Sequence, residues 1–179
     1  MHCRHQHEAD NHEKVPRAKL FNRTGLRAAI LAALREEQAR QARAAADAHE
    51  EATSEESRPE NKWDTHSQEA AYLAEGQSRQ VQEAAEAIGL FAVLPLPAFS
   101  ATDPAALGAV VTLDSGGSPA RYFLGPRAGG LTVATAAGEV MVLTPQSPLG
   151  RQVLGRRVGD EVVTPRGGRA IRARITAIA

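Results

Sequence analysis

The chain of 179 residues contains a single cysteine, one tryptophan, two tyrosines and four phenylalanines. Cys3 has no partner for an internal disulfide and no cysteine pair has metal-ligand spacing, so a reducing cytoplasm is the expected compartment. No uninterrupted apolar run approaches the ~20 residues of a membrane span, and the polar start MHCRHQHEADNHEK lacks the apolar stretch of a secretory signal. Neither secretion nor membrane embedding is expected. Aromatics make up 4% of a chain that is 42% hydrophobic, which leaves a modest core of small side chains, one or two small domains and no large enzyme fold. Nucleophile-elbow, HExxH, phosphate-loop and dinucleotide signatures are also missing, so the chain is not expected to be an enzyme itself.

Excess charge of one sign is lacking too, since 21 Lys and Arg meet 21 Asp and Glu. The zero hides a polarised distribution. Residues 1 to 25 carry +2, residues 26 to 88 carry −6 and residues 89 to 179 carry +4. An acidic segment is joined to a basic one.

Residues 1 to 20 form a His-rich extension in which His2, Cys3, His5, His7 and His12 are potential metal ligands. With no core around them to orient ligands, a disordered extension is the favoured reading. From Leu26 to Ala52 neither Gly nor Pro occurs and alanine dominates, which predicts a long helix started by a Thr24 or Asn22 cap. Its apolar spacing runs through Leu26, Ile30, Ala33, Glu37, Arg40, Ala44 and Ala48, and its packing is expected to be strongest where Leu26, Ile30 and Leu34 can meet Val81 and Ile88. A second helix is expected over 65 to 88, opened by a Thr65/Gln68 capping box, with Ala70, Ala74, Gln77, Val81, Ala84 and Ile88 at coiled-coil spacing. Between them TSEESRPENKWD breaks the helix at Pro59, so residues 21 to 89 read as an antiparallel hairpin, firm at its base and thin at its tip.

Beyond Gly89 the composition shifts to Gly, Pro, Val and Thr. Residues 90 to 105 read as a linker, and 106 to 179 as a small domain with strands over 109–115, 120–125, 131–135, 140–144, 160–164 and 170–178. Ser115-Gly-Gly-Ser and Arg166-Gly-Gly-Arg are hairpin turns. One short helix interrupts the strands, with Ser147 as cap, Pro148 at its first position and Gly155 past its end. The fold class is therefore α+β.

Candidate functional residues gather in two places. At the hairpin tip Glu50, Glu51, Glu55, Glu56, Glu60 and Asp64 face only Arg58 and Lys62 as close opposing charges. A solvated acidic loop explains such a run by charge alone. The functional alternative is carboxylates delivered on a rod into a narrow cavity, where they share a hard cation such as Mg2+. Trp63, the sole tryptophan, is at the same tip and is a candidate partner anchor, with packing against the hairpin shoulder as the equal alternative. In the second domain Arg151, Arg156, Arg157, Arg166, Arg169, Arg172 and Arg174 form a basic cluster, with Arg172 and Arg174 sharing a strand face. No aromatics are interleaved in that stretch, so a protein surface, or at most non-specific contact with nucleic-acid backbone, is the expected partner.

The run from Thr144 through Ser147-Pro148-Leu149-Gly150, Leu154-Gly155 and Gly159-Asp160-Glu161-Val162 resembles the C-terminal signature of the GreA/GreB family of bacterial transcription elongation factors. In that family a serine-proline opens a short helix, a leucine-glycine closes it and an acidic turn enters the final hairpin. The helical hairpin is similar to the family's coiled-coil finger, and Pro59-Glu60-Asn61-Lys62 resembles its tip motif.

The resemblance, over about residues 25 to 179, implies an FKBP-like C-terminal domain that docks on RNA polymerase at the rim of its secondary channel, through a surface to which Arg151, Arg156 and Arg157 are assigned. It implies a finger that enters the channel, with its tip near nascent RNA. Glu56, Glu60 and Asp64 then become the catalytic carboxylates, Glu56 and Glu60 hold a transient Mg2+ shared with the polymerase, and no cofactor belongs to the chain itself. The sequence departs from the family at one point: an acid is expected three residues before Glu60, where Ser57 stands, and the nearest acid is Glu56. Two outcomes stay open, a factor that stimulates cleavage of backtracked RNA and a channel-binding regulator without that activity. An FKBP-like prolyl isomerase or chaperone and a coiled-coil adaptor are the remaining alternatives.

Overall fold

The protein was analysed as a computed structural model, which describes residues 21–53, 65–100, 102–117, 119–166 and 168–179. Two long helices, α1 (Arg23–Thr53) and α2 (Thr65–Val93), pack together and lead into a sheet. At ~1.5 Å per residue each spans more than 40 Å. Asn22 rather than Thr24 caps α1: its Oδ1 accepts the Gly25 N–H at 2.9 Å, satisfying a donor that the first turn leaves unpaired. α2 begins at Thr65, the expected position, while the side chains of its capping box lie outside the described residues.

Among the described residues the fully buried side chains of the hairpin are at its root. Leu26, Ile30 and Leu34 of α1 and Ala87, Phe91 and Leu94 at the end of α2 are buried, whereas no described α1 side chain beyond Leu34 is. The α1 seam follows the expected one at Leu26, Ile30, Ala33, Glu37 and Ala48 and departs from it at Arg40 and Ala44. Past Ile30 the half-buried positions include Gln38, Gln41, Ala45 and Ala48, and Arg40 and Ala44 face solvent. Leu34 is buried at the root, as expected, with Ala33 packed beside it; Arg40 turns outward and pairs with Glu36 and Glu37. On α2 Gln77, Val81, Ala84 and Ile88 are half-buried as the spacing predicts.

Helix α2 also continues through Gly89 to Val93, into the stretch read as linker. Phe91 is the reason, since its ring is fully buried against the sheet and stacks with Phe123 at a centroid distance of 6.2 Å. Pro95 then disfavours a helical Leu94 and the helix stops. The linker beyond is strapped to α1. The Arg23 guanidinium donates to Pro97 O and sits 5.3 Å over the Phe99 ring, and Arg27 donates to Leu94 O at 3.2 Å. Partial burial holds the Arg23 pKa below its ordinary value.

Six strands follow, β1 (Val110–Asp114), β2 (Pro119–Leu124), β3 (Thr132–Thr135), β4 (Gly138–Leu143), β5 (Glu161–Arg166) and β6 (Arg169–Ile178). Their spatial order is β3-β4-β2-β1-β6-β5, with β2 and β4 parallel and the other neighbours antiparallel. In the β1–β2 turn Gly116 and Gly117 have φ of 82° and 89°, and Asp114 Oδ1 accepts the Gly117 N–H at 2.8 Å. Side chains alternate across the sheet, so each face has its own core. Val110, Phe123, Val133, Val140 and Val142 meet the hairpin root on one face. On the other, Val111, Leu113, Leu124, Val162, Ala173 and Ile175 pack with Val153 of a short helix, α3 (Pro148–Val153). Gly125 sits where helix and sheet come closest: a Cβ there would lie 2.7 Å from Phe91 Cζ and 2.9 Å from Val142 Cγ1.

Candidate partner interface

Helix α3 and the turn after it present three of the candidate residues. Ser147 Oγ accepts the Gly150 N–H at 3.0 Å and donates to Thr144 O at 2.8 Å, so the cap also ties the helix to the end of β4. Gly150 is needed for space rather than for φ, because a Cβ there would stand 1.9 Å from Thr144 O. Gly155, with φ of 78°, turns the chain out of the helix, and its N–H reaches Ala105 O at 2.8 Å. Asp160 then closes the turn. Its Oδ2 accepts the Arg157 N–H at 2.9 Å, its carbonyl accepts from Ile175 N at 2.8 Å, and Gly159 N donates to Ile175 O. The acid of the Gly159-Asp160-Glu161-Val162 run is therefore a turn clasp.

On this scaffold Arg151, Arg156 and Arg157 are all exposed. Each is steadied by a carbonyl: Arg151 donates to Gln146 O at 2.6 Å, Arg156 to Gln152 O at 3.3 Å and Arg157 to Thr102 O. The charges stay free to meet an acidic partner while the stems are held. Apolar side chains lie among them. Leu154 is 43% exposed and Val158 39%, and Leu107, 40% exposed, is two residues beyond Ala105, whose backbone pairs with Gly155 and Arg156. The sequence reading missed these three residues. The available signal was Leu154 standing after the last inward position, Val153, and before a chain-reversing glycine.

A few other contacts define the electrostatics. Near the same turn the Asp103 carboxylate accepts the Ser100 N–H at 2.7 Å, and that bond, with the Ser100 hydroxyl and then the charge of Arg157, holds its pKa below the usual range. On α1 the Gln41 amide, and then Arg40, lower the pKa of Glu37. Arg172 and Arg174 do share an exposed face of β6, and Arg174 stands 3.4 Å from Glu161. Where the hairpin root meets the β2–β3 loop there is a cleft of ≈300 Å³ lined by Leu34, Glu37, Glu83, Ala87 and Arg127 among others.

The tip residues Glu55, Glu56, Glu60, Trp63 and Asp64, like the histidines of the extension, lie outside the described residues. Among the described residues no group of three His, Cys, Asp or Glu is arranged to hold a metal ion, and no helix is long and apolar enough to cross a membrane. Four of the aromatics serve the frame: Phe91 and Phe123 are buried in the core, Phe99 carries Arg23, and Tyr122 packs against the second core.

No protein-family profile matches the chain, and no curated protein does. Solved structures do. The chain is similar to Gre-type transcription factors. A structure of the transcription factor Gfh1 is 18% identical with a TM-score of 0.38, over 84% of this chain and 93% of that one. GreA factor homolog 1 of Thermus thermophilus is 16% identical, with a TM-score of 0.34 over 83% and 94% of the two chains. A GreA/GreB elongation factor from Nitrosomonas europaea is 20% identical, with a TM-score of 0.34 over 53% of this chain and 78% of that one.

Proposed function

We propose that this protein regulates transcription elongation by binding RNA polymerase through the α3 turn and presenting its hairpin to the secondary channel. The observation that carries the reading is the folding of the run from Thr144 to Val162 into one braced element. Its serine caps, its glycine packs on a carbonyl and its aspartate clasps the turn, and Arg151, Leu154, Arg156, Arg157 and Val158 are all exposed on this one element. Exposed apolar side chains on the same element as exposed arginines make a surface that fits an acidic, partly apolar protein face. The hairpin, rooted in the sheet by Leu26, Ile30, Leu34 and Phe91, supplies reach.

In this reading Glu56, Glu60 and Asp64, in the segment that joins α1 to α2 in sequence, supply the working carboxylates. Carboxylate oxygens suit a hard cation that takes only one or two ligands from any one protein. A Mg2+ held mainly by the polymerase would supply charge stabilisation on the attacking and leaving oxygens of RNA hydrolysis. The chain itself is a cofactor of the polymerase, not an enzyme, and needs no metal of its own away from that site. Trp63 is assigned to the same contact. Because Ser57 stands where the family has an acid, a channel-binding regulator without cleavage activity is the second reading.

The test is a stalled elongation complex to which purified protein is added. Shortening of the RNA that Glu60→Ala abolishes while binding persists supports the first reading; binding without shortening supports the second. Absence of binding refutes both.

A further inference from the structure

Strand β5 is one edge of the sheet, and the other, β3, lies against α1. An edge strand offers the N–H and C=O of every second residue to any strand that approaches. In β5 those outward groups belong to Val163 and, by alternation, to Glu161 and Pro165. The segment Val162-Val163-Thr164 is β-branched throughout, and the Val163 side chain is 44% exposed, so an open edge here would be a template for pairing.

The edge is not open at its centre. Gln152, on α3, accepts the Val163 N–H through Oε1 at 2.9 Å and donates from Nε2 to Val163 O at 3.2 Å. This is the two-bond pattern that one residue of an antiparallel neighbour would make. The amide is oriented as well, since Nε2 also lies 3.3 Å from Pro148 O within the same helix. Among side chains only an amide offers both a donor and an acceptor in that geometry. The next outward position along the strand is Pro165, which has no N–H to give.

We propose that Gln152 is a plug, a side-chain amide standing in for the missing seventh strand, and that with Pro165 it keeps β5 from pairing with the β5 of a second copy of this chain. The unplugged edge would accept that copy antiparallel, about a two-fold axis, because the same strand then meets itself.

Two measurements test this on the full chain. In Gln152→Met the side chain keeps its length and loses both bonds, and hydrogen exchange at the Val163 amide should speed up roughly tenfold or more while the Val153 and Ile175 amides stay protected. In the double variant Gln152→Met/Pro165→Thr, which also restores an outward N–H, sedimentation should show association that grows with protein concentration, where wild type keeps one mass over the same range. Gln152→Ala serves as a second substitution should Gln152→Met crowd the strand. Unchanged Val163 exchange in a variant whose Val153 and Ile175 amides remain protected would overturn the plug. A double variant with the concentration dependence of wild type would overturn its role against pairing.

Discussion

Replacing Gly150 by alanine should cost more than its small size suggests. A Cβ at this position would lie 1.9 Å from Thr144 O and 2.8 Å from Ser147 Oγ. The first neighbour is backbone at the end of β4, so no rotamer change can relieve it, and α3 has to move away from the strand. Overpacking of this kind costs about 1–3 kcal/mol. The shift also breaks the Ser147–Gly150 cap bond, worth about 1 kcal/mol. Against these stands the better helix propensity of alanine, at most about 1 kcal/mol. The net expectation is a loss of about 2 kcal/mol, or a fall in melting temperature of roughly 4–8 °C for a chain of this size. Urea and thermal unfolding of Gly150→Ala beside wild type measure it. A variant within about 0.5 kcal/mol of wild type would refute the claim that this glycine is required for space, and with it the close docking of α3 on β4.

Two further outcomes are expected. The Gln77 side-chain oxygen is buried with no hydrogen-bond partner among the described residues, so Gln77→Leu should stabilise the hairpin by about 1 kcal/mol, read as a higher melting temperature; a lower one would contradict it. Asp103 and Glu37 both have folded pKa values lowered by hydrogen bonds, so each contributes stability that is present above its unfolded pKa of about 4 and is lost as pH falls through the folded value. The urea midpoint should be level above about pH 5 and drop below about pH 4, with a smaller drop in Asp103→Asn; an equal drop in the variant would remove Asp103 from the account.

Much of the β-rich half was legible because its punctuation is local. Paired glycines at 116–117 and 167–168 mark the hairpins, and Ser147-Pro148 with Gly155 brackets α3, each through the backbone demands of a single turn. The hairpin was legible as helix and, at its root, in its seam, where Leu26, Ile30 and Leu34 are buried as expected. Further out alanine is equally suited to every face, so spacing alone did not separate Arg40 and Ala44, which face solvent, from Gln38, Gln41 and Ala45, which are half-buried. The end of α2 was read too early for a similar reason: Gly89 looks like a stop, and only the burial of Phe91 against Phe123 shows why the helix continues. Gln152 and Val163 are 11 residues apart, and their pairing depends on how α3 lies across β5, which no local pattern encodes. At the interface, the arginines were visible as a run, but the exposure of Leu154 and Val158 follows from the direction of a turn.

The central claim is that the α3 turn is a docking surface for RNA polymerase. The most direct measurement is the affinity of the purified full chain for core RNA polymerase, compared with that of Arg151→Glu/Arg156→Glu, a variant whose fold is checked by its melting curve. Binding by wild type and a loss of tenfold or more in the variant is the predicted result. No binding by wild type, or equal binding by an intact variant, would contradict it.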